Sequence, residues 1–177
     1  PVIKRCIHTS ADFDYADNLV FSPGAVSEAL TALRSGALIV TDTNMGKAGI
    51  NKKALASFGG EALCFMADPD VAESARREGT TRAVASMKKA AALARETERP
   101  LILAVGNAPT ALVEICSLMD DGELSPALVI GVPVGFVNVV AAKEMLLERT
   151  VPSIVARGRK GGSNIAAAIC NALLYMA

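Results

Sequence analysis

Aromatic residues and histidine are scarce in this chain of 177 residues. It has no tryptophan, two tyrosines, five phenylalanines and one histidine. A zinc site needs several cysteine or histidine ligands at close spacing. The four cysteines lie far apart and form no C-x-x-C pair; they are Cys6, Cys64, Cys116 and Cys170. We therefore expect no metal site, and we interpret the cysteines as reduced thiols of a cytoplasmic protein.

Net charge and long uninterrupted hydrophobic runs are also lacking. The 18 lysines and arginines balance 18 acidic residues, which excludes the broad basic surface that nucleic-acid binding requires. The longest apolar stretch, residues 126–142, contains two prolines and two glycines, whereas a membrane span needs about 20 consecutive apolar residues. We expect neither a nucleic-acid partner nor a membrane partner.

Short aliphatic runs alternate with amphipathic segments along the whole chain. The runs are nearly continuously apolar, as in parallel strands covered on both faces, and lie at 37–42, 61–66, 101–106, 127–132 and 153–158. This rhythm predicts one three-layer α/β domain over residues 1–177. Its parallel sheet has about five strands flanked by helices, which fits a flavodoxin-like order.

Capping residues and prolines mark the predicted helix boundaries. Ser22-Pro23 opens a helix that Gly36 ends, and Ser163 caps a last helix that runs to Leu174. Further starts are predicted at Asp68-Pro69, at Asn107-Ala108-Pro109, and at Thr80 or Thr81, which caps an alanine-rich helix to about Arg95.

Glycine, proline, threonine, asparagine and basic residues gather after the predicted strands. In open α/β sheets this is the edge at which ligands bind. The segment 156–164, "ARGRKGGSN", combines glycines, three cations and a helix start. It is either a cradle for a phosphate or carboxylate or a tight surface turn. It fits neither the P-loop nor the dinucleotide-binding pattern.

Single residues within and near these segments are candidates for ligand contact. Arg82 in "EGTTRAV" opposes the dipole of its own helix, so it is either a solvated arginine or a fork for a ligand carboxylate. Asp42 and Asn107 follow strands, where they act either as caps or as ligand contacts. If residues 1–9 are helical, Arg5 and His8 share one face. General acid–base chemistry by His8 is then the simplest chemistry available; the alternative is a histidine packed in the core.

Seven segments, in this order, resemble the precorrin-8X/cobalt-precorrin-8 methylmutase family across nearly the whole chain. They are "RCIHTSADF", "FSPGAV", "TDTNMGKAGI", "TTRAVASM", "GNAPTALVEI", "GVPVGFVNVVAAKE" and "ARGRKGGSNIAAAICNALL". The resemblance implies an isomerase of cobalamin biosynthesis that moves a methyl group from C-11 to C-12 of a corrin ring. It implies no cofactor, a proton donor at His8, substrate contacts at Arg5 and Arg82, and a homodimer with its pocket near the interface. "INKKAL" and "ARGRKGGSN" favour the cobalt-using branch, and the metal-free substrate stays open.

The implied substrate is a broad, mostly apolar ring that carries several carboxylates. It requires an apolar floor, for which we predict Met45, Phe136 and Val137, and polar groups at its margin. The further predicted substrate-binding residues are Asp42, Thr43, Thr81, Asn107, Gly135, Arg159, Gly161, Gly162 and Ser163.

One departure from the family and two alternative functions remain. Family members usually carry a longer segment, with a substrate-contacting serine, ahead of the Arg-x-x-His motif, so an N-terminal segment is expected to be missing here. The first alternative is a non-catalytic corrinoid or tetrapyrrole carrier. The second is a flavodoxin-like module that binds FMN or phosphate through "GRKGGSN".

Overall fold

The computed structural model describes all 177 residues, from Pro1 to Ala177. Its centre is one sheet of six strands: β1 (Leu19–Phe21), β2 (Leu38–Thr41), β3 (Glu61–Leu63), β4 (Leu101–Val105), β5 (Leu128–Gly131) and β6 (Ser153–Ala156). The strand order is β1-β6-β5-β4-β2-β3, with β1 antiparallel to β6 and every other pair parallel. The five parallel strands follow the doubly wound order of flavodoxin-like proteins, and the predicted α/β class is confirmed.

Ten helices surround this sheet. They are α1 (Val2–Ser10), α2 (Tyr15–Asn18), α3 (Ala25–Arg34), α4 (Asn44–Gly49), α5 (Lys52–Ser57), α6 (Pro69–Glu78), α7 (Arg82–Thr97), α8 (Pro109–Asp120), α9 (Val139–Leu147) and α10 (Ser163–Leu174). One core cluster joins the sheet to α1, α3 and α10, and a second joins its other face to α6, α7, α8 and α9. The sheet is therefore covered by a layer of helices on each face, as the predicted three-layer architecture requires. None of the helices combines the length and apolar character that crossing a membrane requires.

The central strands are apolar throughout because both of their faces are covered. In β4, Leu101, Leu103 and Val105 belong to the cluster with α7 and α8, whereas Ile102 and Ala104 belong to the cluster with α1 and α10. Alternate side chains of a strand point to opposite faces, so a strand between two helix layers needs apolar residues at every position. The continuous runs in the sequence are therefore explained.

The structure corrects three local predictions. The edge strand β1 was not predicted. Ser22 is not a helix cap: α3 starts after Gly24, and the Ser22 hydroxyl accepts a hydrogen bond from the Ser153 amide at 2.7 Å. Ser163 is the first residue of α10 and not its cap, because its hydroxyl bonds to the Thr43 hydroxyl instead.

Other predicted boundaries are confirmed. Thr81 caps α7 by accepting a hydrogen bond from the Val84 amide at 3.2 Å, and α7 extends two residues past Arg95. Pro69 and Pro109 occupy the first turns of α6 and α8. These prolines begin helices at little cost because an amide in the first turn has no partner within the helix.

Candidate active site

The only histidine lies on the exposed face of α1. Val2 and Cys6 of this helix are buried, whereas Arg5 and His8 face outward, as their spacing predicts. Both side chains line an open cleft of about 260 Å³ that α1 forms with α4 and α10. The alternative of a core-packed histidine is therefore wrong, and the imidazole is accessible to a ligand.

Two asparagines of α10 complete this cleft. Asn164 and Asn171 both line it. The Asn171 side chain donates to the Gly49 carbonyl at 2.8 Å and accepts from the Asn51 amide at 2.7 Å, which fixes α4 and α5 against α10. Neither residue was predicted from the sequence. The pattern that could have indicated them is two asparagines, two helical turns apart, in a helix that is otherwise apolar after its first residue.

The loops that follow β2, β4, β5 and β6 meet at one end of the sheet, which we call the carboxyl edge (residues 42–46, 106–110, 132–138 and 157–163). Thr43 and Ser163 join two of these loops through a hydroxyl–hydroxyl hydrogen bond of 2.7 Å. Gly106 packs so closely on α10 that a Cβ atom there would lie 2.7 Å from the Ser163 Cα. The predicted residues at these positions are therefore neighbours in space.

Asp42 holds the carboxyl edge together from inside. Its side chain is buried, and its two oxygens accept hydrogen bonds from the amides of Gly106, Asn107 and Ala108 at 2.7–2.8 Å. Burial raises the pKa of Asp42, and the three amides oppose that shift. Its oxygens are occupied by the backbone, so Asp42 orients the Asn107 turn rather than facing the open edge.

Lys143 plays a similar part beneath the loop 157–162. It is fully buried in α9, and its Nζ donates to the carbonyls of Gly158 and Lys160, both at 2.8 Å. Burial lowers the pKa of Lys143 to about 8. This residue was not predicted from the sequence because a lysine in a helix is ordinarily a surface residue.

Two cations of the loop 157–162 are already neutralised. Arg157 pairs with Glu144 at 3.2 Å. Lys160 pairs with both Asp12 and Asp14 at 2.6 Å, which lowers the pKa of Asp12 and ties the loop to the segment after α1. These two side chains are therefore less available to a ligand than the sequence indicated.

Three arginines, one in the His8 cleft and two at the carboxyl edge, form no ion pair. Arg159 lies 5.8 Å from the centre of the Phe136 ring, and Arg5 lies 5.2 Å from the centre of the Tyr175 ring. Arg82 is exposed at the start of α7 and also lacks a carboxylate partner. The arginines are free to bind the carboxylates of a ligand.

The remaining predicted residues add apolar surface and hydroxyl groups at the same edge. Met45, Phe136 and Val137 are 71%, 86% and 77% exposed. Thr81 lies 3.4 Å from Thr110, which brings the start of α7 to the loop after β4. The structure thus brings together the residues predicted on the strand-following loops, while His8 and Arg5 lie to one side, against α10.

Two larger clefts, of about 440 and 490 Å³, lie at the opposite end of the sheet. Their walls include the segments that precede strands, with Pro126 and Pro152. A third, of about 490 Å³, runs along the edge strand β1 as far as Arg157. We place the site at the smaller cleft because the only histidine lies there, and because Asn164 at the start of α10 connects it to the carboxyl edge, where ligands of doubly wound sheets bind.

The cysteines do not supply a nucleophile. All four are buried and free, and burial raises the pKa values of Cys6 and Cys170 to about 12 and that of Cys116 to about 11. These three thiols therefore stay protonated at neutral pH. No three His, Cys, Asp or Glu side chains lie close enough to share a metal ion.

Comparison with known proteins identifies the family of this chain. The family model of precorrin-8X methylmutase matches residues 1–176. The cobalt-precorrin-8 methylmutase of Salmonella typhimurium is 47% identical over 98% of this chain and 80% of its own length. That of Priestia megaterium is 44% identical over 100% and 77%. The precorrin-8X methylmutase of Pseudomonas aeruginosa is 39% identical over 96% and 80%.

Solved structures agree as well. The precorrin-8X methyl mutase from Thermus thermophilus superposes with a TM-score of 0.88 at 42% identity, covering 99% of this chain and 84% of that chain. A precorrin-8X methylmutase related protein superposes with a TM-score of 0.89 at 30% identity, covering 99% and 90%. The chain therefore belongs to the precorrin-8X methylmutase family, whose members are isomerases of cobalamin biosynthesis.

Proposed function

We propose that this chain moves a methyl group from C-11 to C-12 of the precorrin-8 ring, to give a cobyrinic acid-type product, with His8 as the proton donor. The observation that carries the proposal is the placement of the only imidazole. It is exposed, shares a cleft with Arg5, and lies beside the start of α10, where the strand-following loops converge.

The chemistry of the edge matches a corrin ring. The exposed side chains of Met45, Phe136 and Val137 fit an apolar macrocycle, and the unpaired arginines Arg82 and Arg159 fit its carboxylates. Substrate and product are isomers, so a proton given to the ring must afterwards be returned. A single imidazole can serve both steps by acting first as the general acid and then, once deprotonated, as the general base.

A second copy of the chain completes the pocket in this proposal. The cleft beside His8 measures about 260 Å³, which is below the ~300–1,000 Å³ of ordinary ligand pockets. The apolar side chains at the carboxyl edge, together with Phe13 at 79% exposure, offer a surface for self-association. We propose a homodimer whose interface borders the macrocycle.

The central experiment replaces His8 with asparagine. We expect His8→Asn to keep tight binding of the product corrinoid and to lose about 10²–10⁴-fold in turnover, the usual share of one general acid–base group. Lys4→Ala, an exposed change on the same helix, is the control and should retain turnover. Full turnover in His8→Asn would refute the proton-donor role. A wild-type chain that binds corrinoids without converting them would identify the carrier.

The cobalt content of the substrate requires its own measurement. The relatives with 47% and 44% identity are named cobalt-precorrin-8 methylmutases, which supports a cobalt-containing ring as substrate. Incubation with the cobalt and metal-free macrocycles, followed by visible absorbance, should give a spectral shift with the cobalt form alone. Thermal protection by FMN and not by corrinoids would instead favour the flavodoxin-like module.

The free thiols support a cytoplasmic location.

A further inference from the structure

Lys143 is a buried cation with no carboxylate partner. None of its side chain is exposed, and its Nζ bonds only to the Gly158 and Lys160 carbonyls. Placing an ammonium group in the interior is costly, and an apolar side chain of similar volume is often no less stable there. The stability of the fold therefore does not explain why a lysine occupies this position. Its two acceptors lie in the loop 157–162, so its contacts act on that loop.

The orientation of these carbonyls fixes the amides that follow them. All peptide bonds are trans, and in a trans peptide the carbonyl and the next amide point in opposite directions. The carbonyls of Gly158 and Lys160 point to Lys143, and the Arg159 carbonyl accepts from the Gly135 amide at 3.1 Å. The amides of residues 159 and 161 therefore point away from Lys143, the amide of residue 160 points away from the Gly135 loop, and none of them donates to a protein atom.

Building on the function proposed above, we propose that Lys143 is a positioning residue that holds these three successive amides free to bind one carboxylate of the macrocycle. Successive free amides form a concave site for an anion. Arg159, the one cation of this loop without an anionic partner, supplies the matching charge. Lys143 itself does not touch the ligand.

The experiment compares two forms of one ligand, the product-type corrinoid with free carboxylates and the same ring with its side chains methyl-esterified. Binding is followed by visible absorbance. We expect Lys143→Met to weaken binding of the free acid about tenfold and to leave binding of the ester unchanged. Lys53→Met, which removes an exposed cation of α5, controls for net charge and should leave both affinities unchanged. A merely structural role would weaken both ligands equally.

Kinetic measurements and a second variant keep the test informative if Lys143→Met does not fold. In Lys143→Met the KM should rise about tenfold, with kcat within about threefold. Lys143→Gln keeps an uncharged NH₂ group that can donate to the two carbonyls. Its KM and its affinity for the free acid should fall between those of the wild type and Lys143→Met, so it also gives an answer if the methionine variant does not fold. An acid-over-ester preference equal to that of the wild type in either variant would overturn this inference alone. Failure of the proposed function would be seen separately, as a wild-type chain that does not convert the substrate or as full turnover in His8→Asn.

Discussion

At the scale of single residues, two buried charges organise the site without pairing with each other or with any ion. Asp42 is bound by backbone amides, and Lys143 is bound by backbone carbonyls. Each charge therefore shapes a loop rather than a salt bridge. Asp42 was identifiable in the sequence from its place after a strand, whereas nothing in the pattern around Lys143 distinguishes it from a surface lysine.

Loss of the Asp42 carboxylate should destabilise the fold. An asparagine offers one acceptor oxygen, and its NH₂ group would face backbone N–H donors. We expect Asp42→Asn to lower the free energy of unfolding by about 2–4 kcal/mol, measured by urea denaturation. Asp17→Asn, an exposed change of the same type, should cost far less. Equal losses in the two variants would show that the three amide bonds contribute little.

Lys143 should give the stability a defined dependence on pH. Its pKa is lowered to about 8 in the folded chain, against 10.5 when exposed. The unfolded chain therefore binds more protons between these pH values, and the free energy of unfolding rises with pH across that interval. The rise, taken as wild type minus Lys143→Met, should reach about 3 kcal/mol. Urea denaturation at several pH values measures it, and a flat difference would contradict the buried ammonium.

At the scale of elements, the sheet was more predictable than its borders. The five parallel strands could be predicted because burial on both faces demands continuous apolar runs. The three-residue strand β1 could not, because its register with β6 is set by a partner more than a hundred residues away. Ser22 and Ser163 have the chemistry of helix caps, but their hydroxyls bond to tertiary partners, which local sequence does not encode.

The close approach of two strand-following loops predicts that Gly161 does not tolerate a side chain. A Cβ atom there would lie 2.0 Å from the Val132 carbonyl oxygen, which is backbone and cannot rotate away. We expect Gly161→Ala to lower stability by about 1–3 kcal/mol and to weaken corrinoid binding. Gly122→Ala, where a Cβ atom would meet nothing within 4 Å but φ is 73°, should lose about 1 kcal/mol from backbone strain and preserve binding, so corrinoid binding distinguishes the two variants. Thermal unfolding and corrinoid titration measure the two effects.

At the scale of the whole molecule, the predicted topology indicated which loops meet at one edge of the sheet, but it did not indicate where α1 packs. The loops that meet at the carboxyl edge were identifiable because parallel strands end together. The position of α1 against α10 was not, because no periodicity shows which helices are neighbours. The sequence therefore indicated His8 and the loop residues separately, and only the fold shows how near they lie.

If the proposed dimer forms through the apolar side chains of the carboxyl edge, replacing one of them with a charged residue should dissociate it. Phe136 is 86% exposed in the single chain. Phe136→Glu should shift the chain from dimer to monomer in sedimentation velocity and weaken corrinoid binding about tenfold or more, because an interfacial aromatic is often a dominant contact. Val113→Glu, an exposed apolar residue of α8, is the control and should remain dimeric. A monomeric wild-type chain would contradict the dimer.

The packing of α1 against α10, and the pairing of β1 with β6, brings together elements that lie far apart in the sequence. During translation the amino-terminal residues leave the ribosome first, and domains assemble as their contacts become available. The helix that carries His8 must therefore wait until α10, which begins more than 150 residues later, has been made before its partner exists. A nascent chain stalled before residue 163 holds the histidine but lacks α10, so any product released early from the ribosome is without this cleft.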